Sequence, residues 1–414
     1  MGKLCLFTPG PVNVTANVRA AIILEDIGHR EVEFEQLLRS IEGKLLQLFE
    51  IRNQQNYQAV VITGSGTAAN EAMLSSVVGD QNILIVSNGE FGERLHAVSQ
   101  IHNKNTFLIE FPWGEAFDLE AINVFLQDHQ IDFIALVHHE TSSGMLNPVA
   151  AVGALARTNG AVLLVDCVSS AGAEPIDMEQ DNIAFCSSSS SKAIGSYPGL
   201  SFVIGKRSEF EKLRMLPIKS SYLNLYKFFE YAIGRSQTPN TPAVPLFFAL
   251  EQALDNILNE SVSSRHAKIL RMATILRRGM TKLGLTFILD TEDMCSVLTT
   301  VFVPPQIDVD TLRQQLRENS IIIYEGKGPF KGRVFQVGNI GDLSETDVSR
   351  FLRVMRDILD GHRTVESVDK IEFSSHIPDP RWIPTLPVAS IFIGGEALEA
   401  STGRIGQEKT SVGG

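Results

Sequence analysis

Cysteine is scarce, with four residues in 414, Cys5, Cys167, Cys186 and Cys295, and no two of them stand in a C-x-x-C spacing. That scarcity excludes a disulfide framework and the usual structural zinc patterns, and it points to a reducing compartment. Positive charge is also in deficit. The 36 lysines and arginines against 48 aspartates and glutamates leave a formal net charge of −12, a sign that repels a nucleic-acid backbone. Long apolar runs are missing, and stretches such as Phe133 to Val137 and Ala161 to Val165 fall far short of the ~18 residues a membrane helix needs. The opening residues carry no signal-peptide core, and Leu6 stands where N-myristoylation asks for Ser or Thr. The expectation is a cytoplasmic protein with no membrane or nucleic-acid partner.

What is present is ordinary globular material, 44% hydrophobic and 20% charged, in a chain long enough for more than one domain. From about residue 35 to 205, short apolar strand-like runs alternate with helix-like segments, the pattern of βα units around a mostly parallel sheet. The strands are expected at Ala59 to Ile62, Asn82 to Val86, Phe107 to Glu110, Phe133 to Val137, Val162 to Val165, Ile183 to Phe185 and Ser201 to Ile204. Long amphipathic helices and two further strand regions follow the Pro-rich stretch Thr238 to Pro245. The expected organisation is α/β: a large domain over 1–245 with an N-terminal segment and a seven-stranded sheet, a smaller α+β domain over 246–359, and an extension over 360–414.

Three features carry chemistry. Thr63-Gly64-Ser65-Gly66-Thr67 lies between a strand and a helix, where free backbone N–H groups and the helix dipole favour a phosphate. No Gly-Lys-Ser/Thr follows, so it is not a Walker loop, and taken alone it reads equally well as a plain strand-to-helix turn. Leu163-Leu164-Val165-Asp166 ends a strand in a carboxylate, and Lys192 follows after the next strand and a serine run. Carboxyl ends of neighbouring parallel strands meet at the ligand crevice. A lysine and an aspartate there, beside a phosphate turn, suit pyridoxal 5'-phosphate (PLP), whose aldehyde takes an amine and whose pyridine nitrogen takes a carboxylate partner. The plain alternatives are a solvated Lys192 and a helix-capping Asp166.

With these residues in view, the sequence resembles the fold-type I, class V PLP-dependent aminotransferases, above all the 2-aminoethylphosphonate:pyruvate aminotransferase group. The resemblance runs through Thr8-Pro9-Gly10-Pro11, Gly28-His29-Arg30, Gly64-Ser65-Gly66-Thr67, Ser87-Asn88-Gly89-Glu90-Phe91-Gly92-Glu93-Arg94, His139 to Pro148, Val165-Asp166, Ser191-Lys192 and Val337-Gly338-Asn339-Ile340-Gly341. It implies that Lys192, preceded by Ser191, is the Schiff-base lysine and that Asp166 keeps the cofactor ring protonated. It implies that Ser65, Gly66 and Thr67 hold the phosphate, that Phe91 lies against the ring and that Thr141 reaches the 3-oxygen. Gln237 and Thr241 resemble the loop that completes the partner subunit's phosphate site, which implies a homodimer. The adjacent His138, His139 and Glu140 are not expected to bind a metal, because neighbours on a strand point to opposite faces.

The match breaks at one position. Where the resembling enzymes carry an arginine that clamps a substrate carboxylate, this sequence has Gln336 in Phe335-Gln336-Val337-Gly338. A neutral amide cannot supply the charge-assisted fork of a guanidinium. Arg30 is a candidate replacement, so Gln336 and Arg30 are the expected substrate-side residues. Two reactions follow: transamination of a small amine with altered carboxylate recognition, or a lyase or cyclase reaction that uses no keto-acid acceptor.

Overall fold

The computed structural model describes residues 3–362 and, as backbone strands, Ser390–Ile393 and Glu396–Leu398; the rest of the 360–414 extension lies outside the described residues. Seven strands build the central sheet: β1 (Tyr57–Thr63), β2 (Ile83–Ser87), β3 (Thr106–Glu110), β4 (Phe133–Val137), β5 (Val162–Asp166), β6 (Ile183–Ser189) and β7 (Leu200–Lys206). Their order is β3-β2-β4-β5-β6-β7-β1, with β7 antiparallel to both its neighbours and all other pairs parallel. The expected strands are all in place. The sheet is nevertheless wider than expected, because Ser390–Ile393 pairs antiparallel with β3 and Glu396–Leu398 pairs with that strand in turn, giving nine.

The sheet is covered on both faces, and the period-two alternation of each strand decides which side chain goes where. Ala59 and Val61 of β1 join Leu84 and Val86 of β2 in one core, while Val60, Ile62, Ile83 and Ile85 join the other. The first core is closed by helix α1 (Val32–Leu48), whose Phe34, Leu37, Leu38, Ile41, Leu45 and Leu48 recur at helical spacing on one buried stripe. The second is closed by α2 (Gly66–Val77), which follows β1, and α3 (Glu90–His102), which follows β2.

A three-stranded antiparallel sheet, β8 (Leu298–Phe302), β10 (Val334–Gly338) and β9 (Tyr324–Glu325) in that order, carries the smaller core with Met272, Leu312, Leu316 and Phe351. Packing departs from the expected boundary at 245/246 in two places. Helix α4 (Val244–Glu260) buries Phe247, Leu250, Leu254 and Ile257 in the large core against α1. The change of partner comes instead along α5 (Val262–Lys282), whose Met272, Leu276 and Met280 enter the small core. The N-terminal segment also goes to the small core. Cys5–Leu6 pairs parallel with Ile321–Ile322, Cys5 and Phe7 pack beside Phe335 and Phe351, and Gly338 N donates to Phe7 O at 3.0 Å. An apolar pattern shows that a segment is buried without showing against what, which is why both assignments differ.

Candidate active site

Parallel pairing sets Val137 beside Asp166 and Asp166 beside Ser187, so the carboxyl ends of β4, β5 and β6 converge at one edge of the sheet. Asp166 is 3% exposed. Its Oδ2 accepts from Asn70 Nδ2 at 2.6 Å and its Oδ1 from Val168 N at 2.8 Å. Asn70, one turn into α2, is itself oriented by Ser187, whose hydroxyl donates to Asn70 Oδ1. Burial pushes the Asp166 acid up, while the two donors and the charge on Lys192 pull against that shift.

Lys192 lies on the tight loop after β6, where Gly195 N donates to Lys192 O at 2.9 Å and Ser196 N to Ser190 O at 2.9 Å. Burial pulls its ammonium down from 10.5 to about 8; Asp166 opposes the shift and the charges of Lys327 and Arg94 add to it. Gly10, at φ +133°, presses on the lysine: a Cβ there would lie 3.0 Å from Nζ and collide with Cδ. That position therefore needs glycine for both its backbone conformation and the space it leaves.

The turn after β1 leads into α2 with Ser65 at the N-cap. Ser65 and Thr67 are exposed, and neither hydroxyl has a partner among the described residues. Gly66 is buried between them, where a Cβ would lie 2.7 Å from Val168 Cγ2. Unpaired hydroxyls and the first N–H groups of a twelve-residue helix thus stand one turn before Asn70, the residue that binds Asp166.

Glu140, which sequence reasoning weighed only as a metal ligand, is a fully buried organiser. Its Oε2 accepts from Phe91 N and Gly92 N, both at 3.1 Å, and its Oε1 from Ser142 N at 3.0 Å and Ser142 Oγ at 2.6 Å. It ties the start of α3, and with it the Phe91 ring, to the loop that carries Thr141. Burial raises Glu140 to about 7 against the pull of those donors. The alternation expected at 138–140 holds: Glu140 turns to α3, while His139 is buried without a partner for either ring nitrogen among the described residues, which desolvation holds in its neutral form. Among the described residues, no three His, Cys, Asp or Glu side chains are grouped to hold a metal.

Gln336 does not face the site as a free amide. Its Nε2 donates to Thr141 O at 2.6 Å and Ser142 O at 3.2 Å, and the residue is 4% exposed. It straps β10 of the small sheet to the loop of the large one. Arg30 is also committed elsewhere, with Nη1 donating to Thr238 O at 2.7 Å and Gln237 Oε1 at 3.1 Å. The structure brings it to the 237–239 segment and not to Lys192 or Gln336. Gln237 is tied up within its own chain, since its Nε2 donates to Glu35 Oε1 at 2.7 Å, whereas Thr241 is exposed. Ser191 makes a long contact with Ser189 Oγ at 3.4 Å.

Comparison with known proteins identifies the family and the fold. The family profile for Aminotransferase class-V matches residues 15–330. The chain is 31% identical to a 2-aminoethylphosphonate–pyruvate transaminase of Phocaeicola vulgatus over 86% of this chain and 99% of the relative. It is 33% identical to one of Klebsiella pneumoniae over 84% and 95%. Among solved structures, an alanine–glyoxylate aminotransferase from Nostoc sp. superposes with a TM-score of 0.82 at 29% identity, covering 87% of this chain and 96% of that one. A pyridoxamine–pyruvate aminotransferase from Mesorhizobium loti gives the same TM-score at 25% identity, covering 88% and 94%.

Proposed function

The chain belongs to the class-V aminotransferase family and is a PLP-dependent aminotransferase, and from that premise we propose that it transfers the amino group of a short amine with an anionic end, of the kind 2-aminoethylphosphonate represents, to a carbonyl acceptor. The buried Asp166 at a strand end, fixed by Asn70 and Val168, with a lysine depressed to about 8, carries the cofactor chemistry, and the likeness to 2-aminoethylphosphonate–pyruvate transaminases supports the substrate class.

The donor set fits pyridoxal phosphate. Lys192 would bond the aldehyde carbon, Asp166 would hold the proton of the ring nitrogen, and the unpaired hydroxyls of Ser65 and Thr67 with Gly66 N–H would hold the phosphate. Phe91 and Thr141 would flank the ring and its 3-oxygen. Bound there, the cofactor supplies an electron sink for charge developing at the substrate carbon. The chain's residues do the rest. Asp166 keeps one proton fixed in a dry setting, Lys192 in its neutral form takes and returns a proton, and Glu140 holds the Phe91 and Thr141 walls in register.

Two finer features complete the proposal. The exposed Thr241, beside the braced 237–239 segment, supports a homodimer in which that loop reaches the partner's phosphate. Four free, buried cysteines support a cytoplasmic setting.

Incubating the holoenzyme with 2-aminoethylphosphonate and following cofactor absorbance and product mass tests the reading. Conversion of the cofactor to pyridoxamine phosphate, reversed by a keto acid, is the expected result. Release of a product with the cofactor unchanged would establish the lyase or cyclase reaction instead.

A further inference from the structure

With Gln336 strapped to backbone carbonyls and Arg30 bound to 237–239, an anionic substrate must find its cation elsewhere near Lys192. Two cations, one from each sheet's surroundings, meet beside the Phe91 ring. Arg94 lies one turn after Glu90 on α3, its guanidinium carbon 4.6 Å from the centroid of the Phe91 ring. Lys327 lies after β9 in the small sheet, its Nζ 5.6 Å from the same centroid. Both bind one carboxylate, Arg94 Nη2 to Glu90 Oε1 at 2.6 Å and Lys327 Nζ to Glu90 Oε2 at 3.2 Å.

Three points follow from this geometry. Counted over the three bonded groups, one carboxylate against two cations leaves a net positive charge, while Glu93 of the same helix is engaged with Trp113. Glu90 demonstrates that a single small anionic group satisfies both cations at once. The cluster is also in electrical contact with the site, because both cations help hold Lys192 below the ordinary lysine range. The loop that presents Lys327 is firmly seated: a Cβ on Gly328 would lie 2.7 Å from Trp113 Cη2, Phe330 packs edge-on to Trp113 at 6.0 Å, and Trp113 Nε1 donates to Glu93 Oε1.

We propose that Arg94 and Lys327 form the subsite for the substrate's terminal anion, a phosphonate or similar three-oxygen group, and that Glu90 holds the place this anion takes. The proposal rests on the aminotransferase reading and deepens it by naming what recognises the substrate's far end. A three-oxygen anion offers separate oxygens to each of the two cations, which a clamp of one arginine does not require. Binding would then draw together α3 and the loop after β9.

The test uses ethylphosphonate, which carries the anion without a reactive amine, titrated calorimetrically into the holoenzyme. Lys327→Gln and Arg94→Gln are each expected to weaken binding about tenfold or more, with Lys327→Arg restoring most of it. Glu90→Gln is expected to tighten binding, because it removes the competing carboxylate. A merely structural role for the cluster predicts the opposite sign for Glu90→Gln, and that result overturns the proposal. So does the absence of ethylphosphonate binding to the natural protein, or unchanged affinity in both cation variants. If 2-aminoethylphosphonate converts the cofactor while the cation variants bind ethylphosphonate normally, the subsite falls and the aminotransferase reading stands. If the variant pattern holds while no amine converts the cofactor, the subsite stands and the donor reading falls.

Discussion

The floor and the wall of the site are built on different terms. On the floor, Asp166, Asn70, Ser187 and Glu140 are buried, and each carboxylate oxygen accepts at least one donor from residues that are themselves fixed. On the wall, the Arg94 and Lys327 side chains are 40% and 57% exposed, and their shared partner, Glu90, comes from the large domain's α3. The difference teaches where substitution is tolerated. A proton held at the ring nitrogen needs a dry, over-determined setting, whereas a substrate anion is recognised by charges that remain partly wet. Gln336 donates to the Thr141 and Ser142 carbonyls and takes no part in the hydrogen bonds of the floor.

Breaking the floor should give the largest effects. Lys192→Ala is expected to abolish the cofactor's lysine-bound absorbance band and lower turnover by about 10⁴-fold or more, read by spectrum and steady-state kinetics; a retained borohydride-trappable adduct would assign the role to another lysine. Asp166→Asn is expected to cost about 10²–10³-fold in turnover. Its folding should not suffer. The Asp166 acid is raised by burial, so its contribution to stability is present below the free value of 3.8 and lost as pH rises through the folded value. At neutral pH the carboxylate is therefore a burden on the apoprotein, and the asparagine variant should melt no lower by calorimetry. Its new amide can donate to Asn70 once Asn70 turns over and donates in its place to Ser187, so the chain of donors survives reversed. A large loss of melting temperature would show the floor to be structural first.

Changes to the wall should be smaller and should sharpen the contrast. Gln336→Arg is expected to strengthen keto-acid binding by about 1.5–3 kcal/mol, the scale of a hydrogen bond to a charged group, measured as the acceptor's half-saturation. Strong natural use of pyruvate with no gain from the arginine would show that another cation already serves. The smallest effect is a pH dependence. With Lys192 at about 8, the neutral amine is about 9% of the population at pH 7 and about half at pH 8. Capture of added cofactor by the apoprotein should rise about fivefold over that unit, about twofold over the next, and level off above about pH 9. A rise that continued toward pH 10 would place the lysine in an ordinary, solvated setting.

The floor was largely legible in the sequence and the wall was not, for a physical reason. Asp166 and Lys192 lie at successive strand ends, and short apolar runs such as Val162 to Val165 fix those ends by their own pattern. Asn70 was missed because it meets Asp166 from a helix 96 residues away, and nothing local marks its role. Glu140 stood within a recognised motif, yet its task, gathering N–H groups from α3 and the next turn, becomes visible only when the chain returns on itself. Gln336 was read as an absent charge and not as a strap, since its bonds to Thr141 and Ser142 depend on how two sheets face each other. Helix α1 was not singled out at all, and α4 was assigned to the wrong core because an amphipathic stripe does not name its partner.

The N-terminal segment has a consequence for how the protein comes to be made. Residues 5 to 7 are anchored by Ile321, Ile322 and Gly338, and three residues later Gly10 presses on Lys192. Residues 5 to 7 thus have no place to settle until nearly the last strand of the small sheet has emerged. The seven strands of the large sheet end at Lys206 and can pair well before that. The expected order of assembly is therefore that the floor forms early on contacts among neighbouring strands, and the lysine is enclosed late, when the strand pairing of greatest sequence separation among the described residues closes over it.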